Sequence, residues 1–110
     1  MLQIQSANIT PSKARIGDSV TLHCTLLNPS AQTASALADW RVFYVKGNGT
    51  LSPKVFKGST VQIDAHGHGV LEKTLSLRQM STRTHHPGRH TVEIVLNGHA
   101  YSIGHFDLHP

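Results

Sequence analysis

The stretch at residues 77–90, LRQMSTRTHHPGRH, concentrates basic and imidazole side chains and contains no carboxylate. These side chains are Arg78, Arg83, His85, His86, Arg89 and His90. Guanidinium groups grip phosphate oxygens bidentately, and imidazoles can donate to them as well. Pro87-Gly88 favours a tight turn, and an unpaired cationic run around a turn is expected at the surface. The stretch therefore predicts an anion-binding loop, with phosphodiester backbone as the expected ligand. A solvated connection between two strands would carry the same charges.

The residues around this stretch alternate between apolar and polar types, which predicts β-strands. Asn97-Gly98 predicts a type I′ hairpin, because both central positions of that turn need positive φ. Gly104 separates two apolar pairs that are out of phase, which predicts a β-bulge. No window has a helical period. We assign strands A, B, C, C′, D, E, F and G to residues 2–10, 19–27, 39–46, 54–57, 60–64, 70–77, 89–96 and 99–108, with a loop at 31–36.

Seven or eight short strands in this length predict an all-β fold, an immunoglobulin-like antiparallel β-sandwich, as a single domain over residues 1–110. Cys24 and Trp40 stand where such a domain has its B-strand cysteine and C-strand tryptophan. Strand F has no cysteine, so we predict a disulfide-free variant in which Cys24 is reduced and buried near Trp40. Pro53 confines its strand to a sheet edge or a strand start.

Three loops that are distant in sequence share a positive charge. In the predicted topology the A–B, C–C′ and E–F loops lie at one end of the sandwich. They carry seven of the ten basic residues, namely Lys13, Arg15, Lys46, Lys54, Arg78, Arg83 and Arg89. Only Asp18 and Asp107 oppose them, which leaves a local charge of about +5. A solvated connection does not require this convergence, so the anion-binding interpretation is favoured, with Lys46, Lys54 and Lys13 in support.

The composition agrees with an acidic partner. The net charge is +4 and the sequence pI is about 9.7. The single cysteine gives no sign of an oxidising compartment. The N-terminus does not look like a signal peptide, and no apolar run approaches a membrane span. We therefore expect a cytoplasmic, monomeric domain without a membrane partner.

Two sequence runs resemble a bacterial family. The first run consists of Arg-Gln-Met-Ser-Thr-Arg at 78–83 and Pro-Gly-Arg-His at 87–90. The second consists of Tyr-Val-Lys at 44–46 and Ser-Pro-Lys-Val-Phe-Lys at 52–57. They resemble the immunoglobulin-like C-terminal domain of AlkC-type HEAT-like-repeat DNA alkylation repair glycosylases. The family usually has aromatic residues at the positions of Leu77 and His86, and a Pro-Gly-Glu turn near residues 65–69.

The resemblance implies a non-catalytic accessory domain, since the helical-repeat domain performs catalysis in that family. The immunoglobulin-like part is expected to close over the DNA from the side opposite the repeats. Double-stranded DNA is therefore the implied partner. A HEAT-like-repeat glycosylase domain, on the same or another chain, is a second candidate partner.

The nine histidines invite a metal hypothesis, but no cysteine or acid completes a set at ligand spacing. We expect no metal or other cofactor. Ser76, Ser81 and Thr82 lie near histidines in sequence, yet no carboxylate follows where it would orient one, so we expect no catalytic activity. Trp40 is expected in the core. Met80 is expected to fill a buried gap rather than to act as a wedge between bases.

The sequence therefore predicts a domain that grips duplex DNA through phosphate and groove contacts. If His85, His86 and His90 lie beside phosphates, binding should tighten as the pH falls and the rings gain charge. The rival hypothesis is a protein-binding or carbohydrate-binding immunoglobulin-like module. An exposed apolar or aromatic patch would favour that rival.

Overall fold

The computed structural model describes residues 2–110 and confirms the all-β, immunoglobulin-like prediction. Its strands are β1 (Gln3–Thr10), β2 (Lys13–Arg15), β3 (Ser19–Leu27), β4 (Ala34–Val45), β5 (Leu51–Ile63), β6 (His68–Ser76), β7 (Gly88–Leu96) and β8 (His99–His109). Within this described part, no helix is long and apolar enough to cross a membrane.

The strands form two packed sheets. One has the order β1-β3-β6 and the other has the order β2-β8-β7-β4-β5. All neighbours are antiparallel except β2 and β8, which pair in parallel. The core lies between the sheets and includes Leu22, Cys24, Trp40 and Phe106. Cys24 is a free thiol that is fully buried, as predicted, and burial raises its pKa to about 11.

The hairpin turn and the β-bulge lie where the glycines of the sequence predicted them. Asn97 and Gly98 have φ values of 49° and 83°, as the predicted hairpin requires. The β7–β8 register shifts between Val92 and Glu93, opposite Gly104, which has a φ of 137°. This confirms the predicted bulge. Pro53 lies on β5, which is an edge strand, also as predicted.

Three strand assignments were wrong. β4 begins at Ala34, inside the predicted loop at 31–36, because its small residues pair with β5 from Ala34 onward. The predicted strands C′ and D are one continuous strand, β5, with a register shift opposite Ala38 and Trp40. β2 was not predicted, because three residues give too short a pattern to recognise.

Gly58 makes the continuity of β5 possible. A Cβ at this position would overlap the carbonyl carbon and oxygen of Ala38, so only glycine fits. The Gly58 N–H donates to Oδ1 of Asp39 at 2.8 Å, which supplies a partner for the irregular backbone. β5 therefore bends at Gly58 without leaving its sheet.

The predicted convergence of the three loops at one end is confirmed by the strand registers. Val45 pairs with Leu51, Ser19 with Ser76, and Gly88 with Leu108, so the A–B segment (residues 11–18), the C–C′ turn (46–50) and the E–F loop (77–87) lie together. The Asn97-Gly98 hairpin is at the other end of the molecule, whose longest dimension is 48 Å.

We expect Gly58→Ala to lower the free energy of unfolding by at least about 2 kcal/mol, because the new methyl forces the backbone of β4 and β5 apart. Gly47→Ala is the matched control, since its Cβ would lie at an ordinary 3.4 Å from Cε1 of His86. Urea unfolding of both variants measures the difference. Equal stabilities would show that β5 does not need this close approach.

Candidate nucleic-acid interface

Two imidazole rings of the basic stretch lie inside the protein. His85 and His90 are 3% and 0% exposed, so the prediction that they lie at the surface is wrong. The His90 ring stacks on Phe106, with centroids 4.8 Å apart and planes at 24°. Tyr44 contacts both imidazoles, at centroid distances of 5.7 Å from His85 and 5.6 Å from His90. These rings connect the E–F loop to the core.

The buried imidazoles are held in the neutral form. Burial lowers the pKa of His90 from its ordinary value of 6.5, although a hydrogen bond to the Gly88 carbonyl acts in the opposite direction. Burial also lowers the pKa of His85, and the nearby Arg83, His90 and His86 lower it further. Within residues 2–110, Nδ1 of His85 and Nε2 of His90 are buried without a hydrogen-bond partner. Neither ring can readily take up a proton beside a phosphate.

The E–F loop is folded rather than extended. The Gln79 amide clamps the backbone of His85: Oε1 accepts from the His85 N–H at 2.7 Å, and Nε2 donates to its carbonyl at 2.9 Å. Met80 and Arg83 close a tight turn through reciprocal backbone hydrogen bonds of 3.1 and 3.2 Å. Met80 is 57% exposed at this turn, so its predicted role as a buried gap-filler is wrong.

Arg83 is the basic residue of the E–F loop that packs over an aromatic ring. Its guanidinium carbon lies 4.1 Å from the centroid of the Tyr44 ring, and its side chain is half-buried. A cation over an aromatic face is attracted by the ring quadrupole. Among residues 2–110, Arg83 has no ion-pair partner. The same tyrosine therefore packs against both imidazoles and supports an unneutralised cation.

The other predicted residues separate into two groups. Arg78 and Lys46 are exposed near the E–F loop, and the half-buried His86 contacts the C–C′ turn at Gly47. Lys54 lies on β5, with its ammonium nitrogen 5.4 Å from the centroid of Phe56.

Arg89 and Lys13 form the second group, on the side of the sandwich made by β2, β7 and β8, where they line a common depression. Arg89 donates to both carboxylate oxygens of Asp107, at 3.0 and 3.4 Å. This ion pair leaves Arg89 a weaker candidate for phosphate binding than Arg78 or Arg83.

The sequence analysis missed Lys73, a cation that lies near Lys54. Lys73 of β6 holds its ammonium nitrogen 4.7 Å from the centroid of Phe56, the ring that Lys54 also covers. The sequence did indicate the position of Lys73, because this residue alternates in phase with the inward-facing Leu71 and Leu75. A lysine on the inner face of a strand indicates an open sheet edge.

Over residues 2–110, no three metal-ligating side chains lie close enough to hold an ion.

The two-sheet arrangement, with β2 parallel to β8, defines an immunoglobulin-like sandwich. The chain belongs to the family described as "Uncharacterised protein YhaZ, C-terminal Ig-like domain", which it matches over residues 3–110. No functionally curated protein matches the chain significantly.

The solved structures that this chain resembles include a DNA glycosylase and several β-glucosidases. The alkylpurine DNA glycosylase AlkC of Pseudomonas fluorescens, bound to DNA containing an abasic site analog, matches 99% of the chain with a TM-score of 0.89 and 29% identity. β-Glucosidases of Erythrobacter marinus and Listeria innocua match 99% and 100% of it, with TM-scores of 0.81 and 0.74 and identities of 8% and 14%. The chain spans 30% of the glycosylase and 15–16% of the glucosidases. At these identities the glucosidases show the fold alone.

We expect the domain to lose stability as the pH falls below about 6.5, because the unfolded chain then binds protons that the folded chain excludes from His85 and His90. Each ring contributes at most about 1.4 kcal/mol per pH unit. Urea unfolding at pH 7.5, 6.5 and 5.5 measures this slope. His90→Phe should reduce it, whereas His99→Gln at the exposed hairpin should not. A slope that His90→Phe leaves unchanged would contradict the buried, neutral assignment.

Proposed function

We propose that this domain is a non-catalytic accessory domain of a DNA alkylation repair glycosylase system, and that it binds duplex DNA through phosphate contacts at the E–F loop. Its similarity to AlkC, whose structure contains DNA, suggests the repair role. The observation that carries the DNA contact is Arg83, a cation fixed on Tyr44 with no ion-pair partner in the described residues. Arg78 of the same loop and Lys46 of the C–C′ turn are exposed at the same end of the sandwich. Catalysis would belong to another domain.

The binding we propose is independent of base sequence. Lysine and arginine contacts to phosphates position a protein on the duplex, but they do not read the bases. Three or four such contacts from an isolated domain give weak affinity, on the order of 10⁻⁴ M at physiological salt. His86 is half-buried, whereas His85 and His90 are buried, so His86 can add hydrogen bonds at the edge of this surface. A cytoplasmic location, expected from the sequence, is consistent with this role.

The rival, a protein-binding or carbohydrate-binding module, has limited support. The large exposed apolar side chains are Leu37, Leu51, Val55, Val70, Met80 and Tyr101. They are distributed over both sheets and the E–F loop, and only Leu51 and Val55 share a face of one strand. Such scattered residues are normal on protein surfaces and do not define a docking patch.

We expect the affinity of the 110-residue chain for a fluorescently labelled duplex to fall with salt, with log K against log salt at a slope of about −3. Arg78→Gln with Arg83→Gln should flatten this slope by about 2, because two phosphate contacts are lost. Fluorescence anisotropy across a salt series measures both values.

The matched control is His99→Glu with Ala100→Glu, which makes the net charge more negative by the same amount at the far end of the molecule. This control should keep the wild-type slope. If the arginine variant and the control gave the same slope as wild type, the E–F loop would be a solvated connection. If wild type did not bind at low salt, the proposed function itself would be overturned.

A further inference from the structure

One side of the sandwich is an open seam between the two sheets. β5 and β6 are edge strands of different sheets, and no hydrogen-bonded ladder joins them in the described part of the chain. Two grooves of about 230 and 200 Å³ run along this seam, and Lys73 lines both. Arg83 and Tyr44 line the first groove and Lys57 lines the second, so the seam continues from the E–F loop along the side of the molecule.

Two lysines point into this seam from opposite sheets. Lys54 pairs with Val42, and Lys73 pairs with Leu22. Both partners are fully buried, and paired residues of antiparallel strands project to the same face of their sheet. The two ammonium nitrogens lie 5.4 and 4.7 Å from the centroid of the same ring, Phe56. Two like charges thus lie close to the same aromatic ring.

One carboxylate, Glu72, lines the second groove. Glu72 pairs with Nδ1 of His23 at 3.2 Å, and Oδ1 of Asp39 accepts from the Gly58 N–H at 2.8 Å. Over residues 2–110, no ion pair involves Lys54, Lys57, Lys73 or Arg83. Lys54, Lys57, Lys73 and Arg83 thus outnumber the carboxylate that lines the grooves, and an excess of positive charge between low-dielectric walls attracts an anionic ligand.

Protection of the sheet edges explains part of this arrangement. Inward-pointing charges on edge strands prevent edge-to-edge association, and Lys73 fits that role. Edge protection does not require β5, β6 and the E–F loop to contribute cations to two adjoining grooves. It also does not require Arg83, which lies outside both edge strands.

We propose that the seam between β5 and β6 is a second phosphate-binding groove, which holds one strand of phosphodiester backbone as it leaves the E–F loop. This inference rests on the proposed function. Lys54 and Lys57 are three residues apart on β5, which separates them by about 10 Å. One strand of duplex DNA presents a phosphate every 3.4 Å along the axis, so a polyanion matches this spread better than a small anion does. The cations already cover Phe56 and Tyr44, which favours backbone contact over base stacking.

The test is the variant Lys54→Gln with Lys73→Gln in the 110-residue chain, measured by the same anisotropy titration. The contacts of the seam add to those of the E–F loop, so the wild-type slope should be steeper than the value of about −3 that the loop alone predicts, and we expect this variant to flatten it by about 2. The charge-retaining pair Lys54→Arg with Lys73→Arg should keep the wild-type slope, and a thermal melt of each variant verifies folding. Lys57→Gln, a change at an exposed position, provides a second variant that should flatten the slope by about 1.

Sedimentation velocity separates this role from edge protection. If the lysines only guard the edges, Lys54→Gln with Lys73→Gln will self-associate while its salt slope stays at the wild-type value, and that result would overturn the inference. A flattened slope in Arg78→Gln with Arg83→Gln, together with a wild-type slope in all the lysine variants, would also overturn it while leaving the proposed function standing. If the wild-type chain did not bind duplex DNA, both this inference and the proposed function would be overturned.

Discussion

The position of the E–F loop depends on the burial of two neutral imidazole rings. A loop rich in cations and without carboxylates has little tendency to fold onto a protein, because its charges favour water. His85 and His90 overcome this tendency by packing against Tyr44 and Phe106 inside the loop end of the sandwich. The side-chain amide of Gln79 then hydrogen-bonds to both the N–H and the carbonyl of His85. With the loop fixed, its arginines no longer sample all orientations, and less conformational entropy is lost when they bind an anion.

Aromatic rings also position the cations. Tyr44 supports Arg83, and Phe56 lies beneath Lys54 and Lys73. Each such contact contributes about 0.5–1 kcal/mol at exposed sites. This is enough to restrict a side chain without neutralising its charge. A carboxylate partner would restrict the side chain as well, but it would compete with a phosphate, as Asp107 does at Arg89. The contrast between Arg83 and Arg89 thus distinguishes a cation that is available to a ligand from one that is already paired.

Much of this fold could be predicted from apolar alternation, because β3, β6 and β7 each have a face buried in the core. β4 and β5 were harder, since the alanines of β4 have weak strand propensity and Gly58 looks like a strand end. For the site, the loop end and most of its cations were predictable from charge and topology. His90 is in phase with Val92 and Ile94, which indicates burial, but the charged appearance of the loop obscured that signal. His85 had no periodic signal, because only the tertiary contact with Tyr44 buries it.

The most direct test of this account is a titration of unlabelled duplex DNA into the ¹⁵N-labelled 110-residue chain, followed by amide chemical shifts. The account predicts that the perturbed amides cluster at Arg78 and Arg83 and continue along the seam to Phe56 and Lys73, with none at the Asn97-Gly98 hairpin. Perturbations centred on that hairpin, with none in the E–F loop or along the seam, would contradict it.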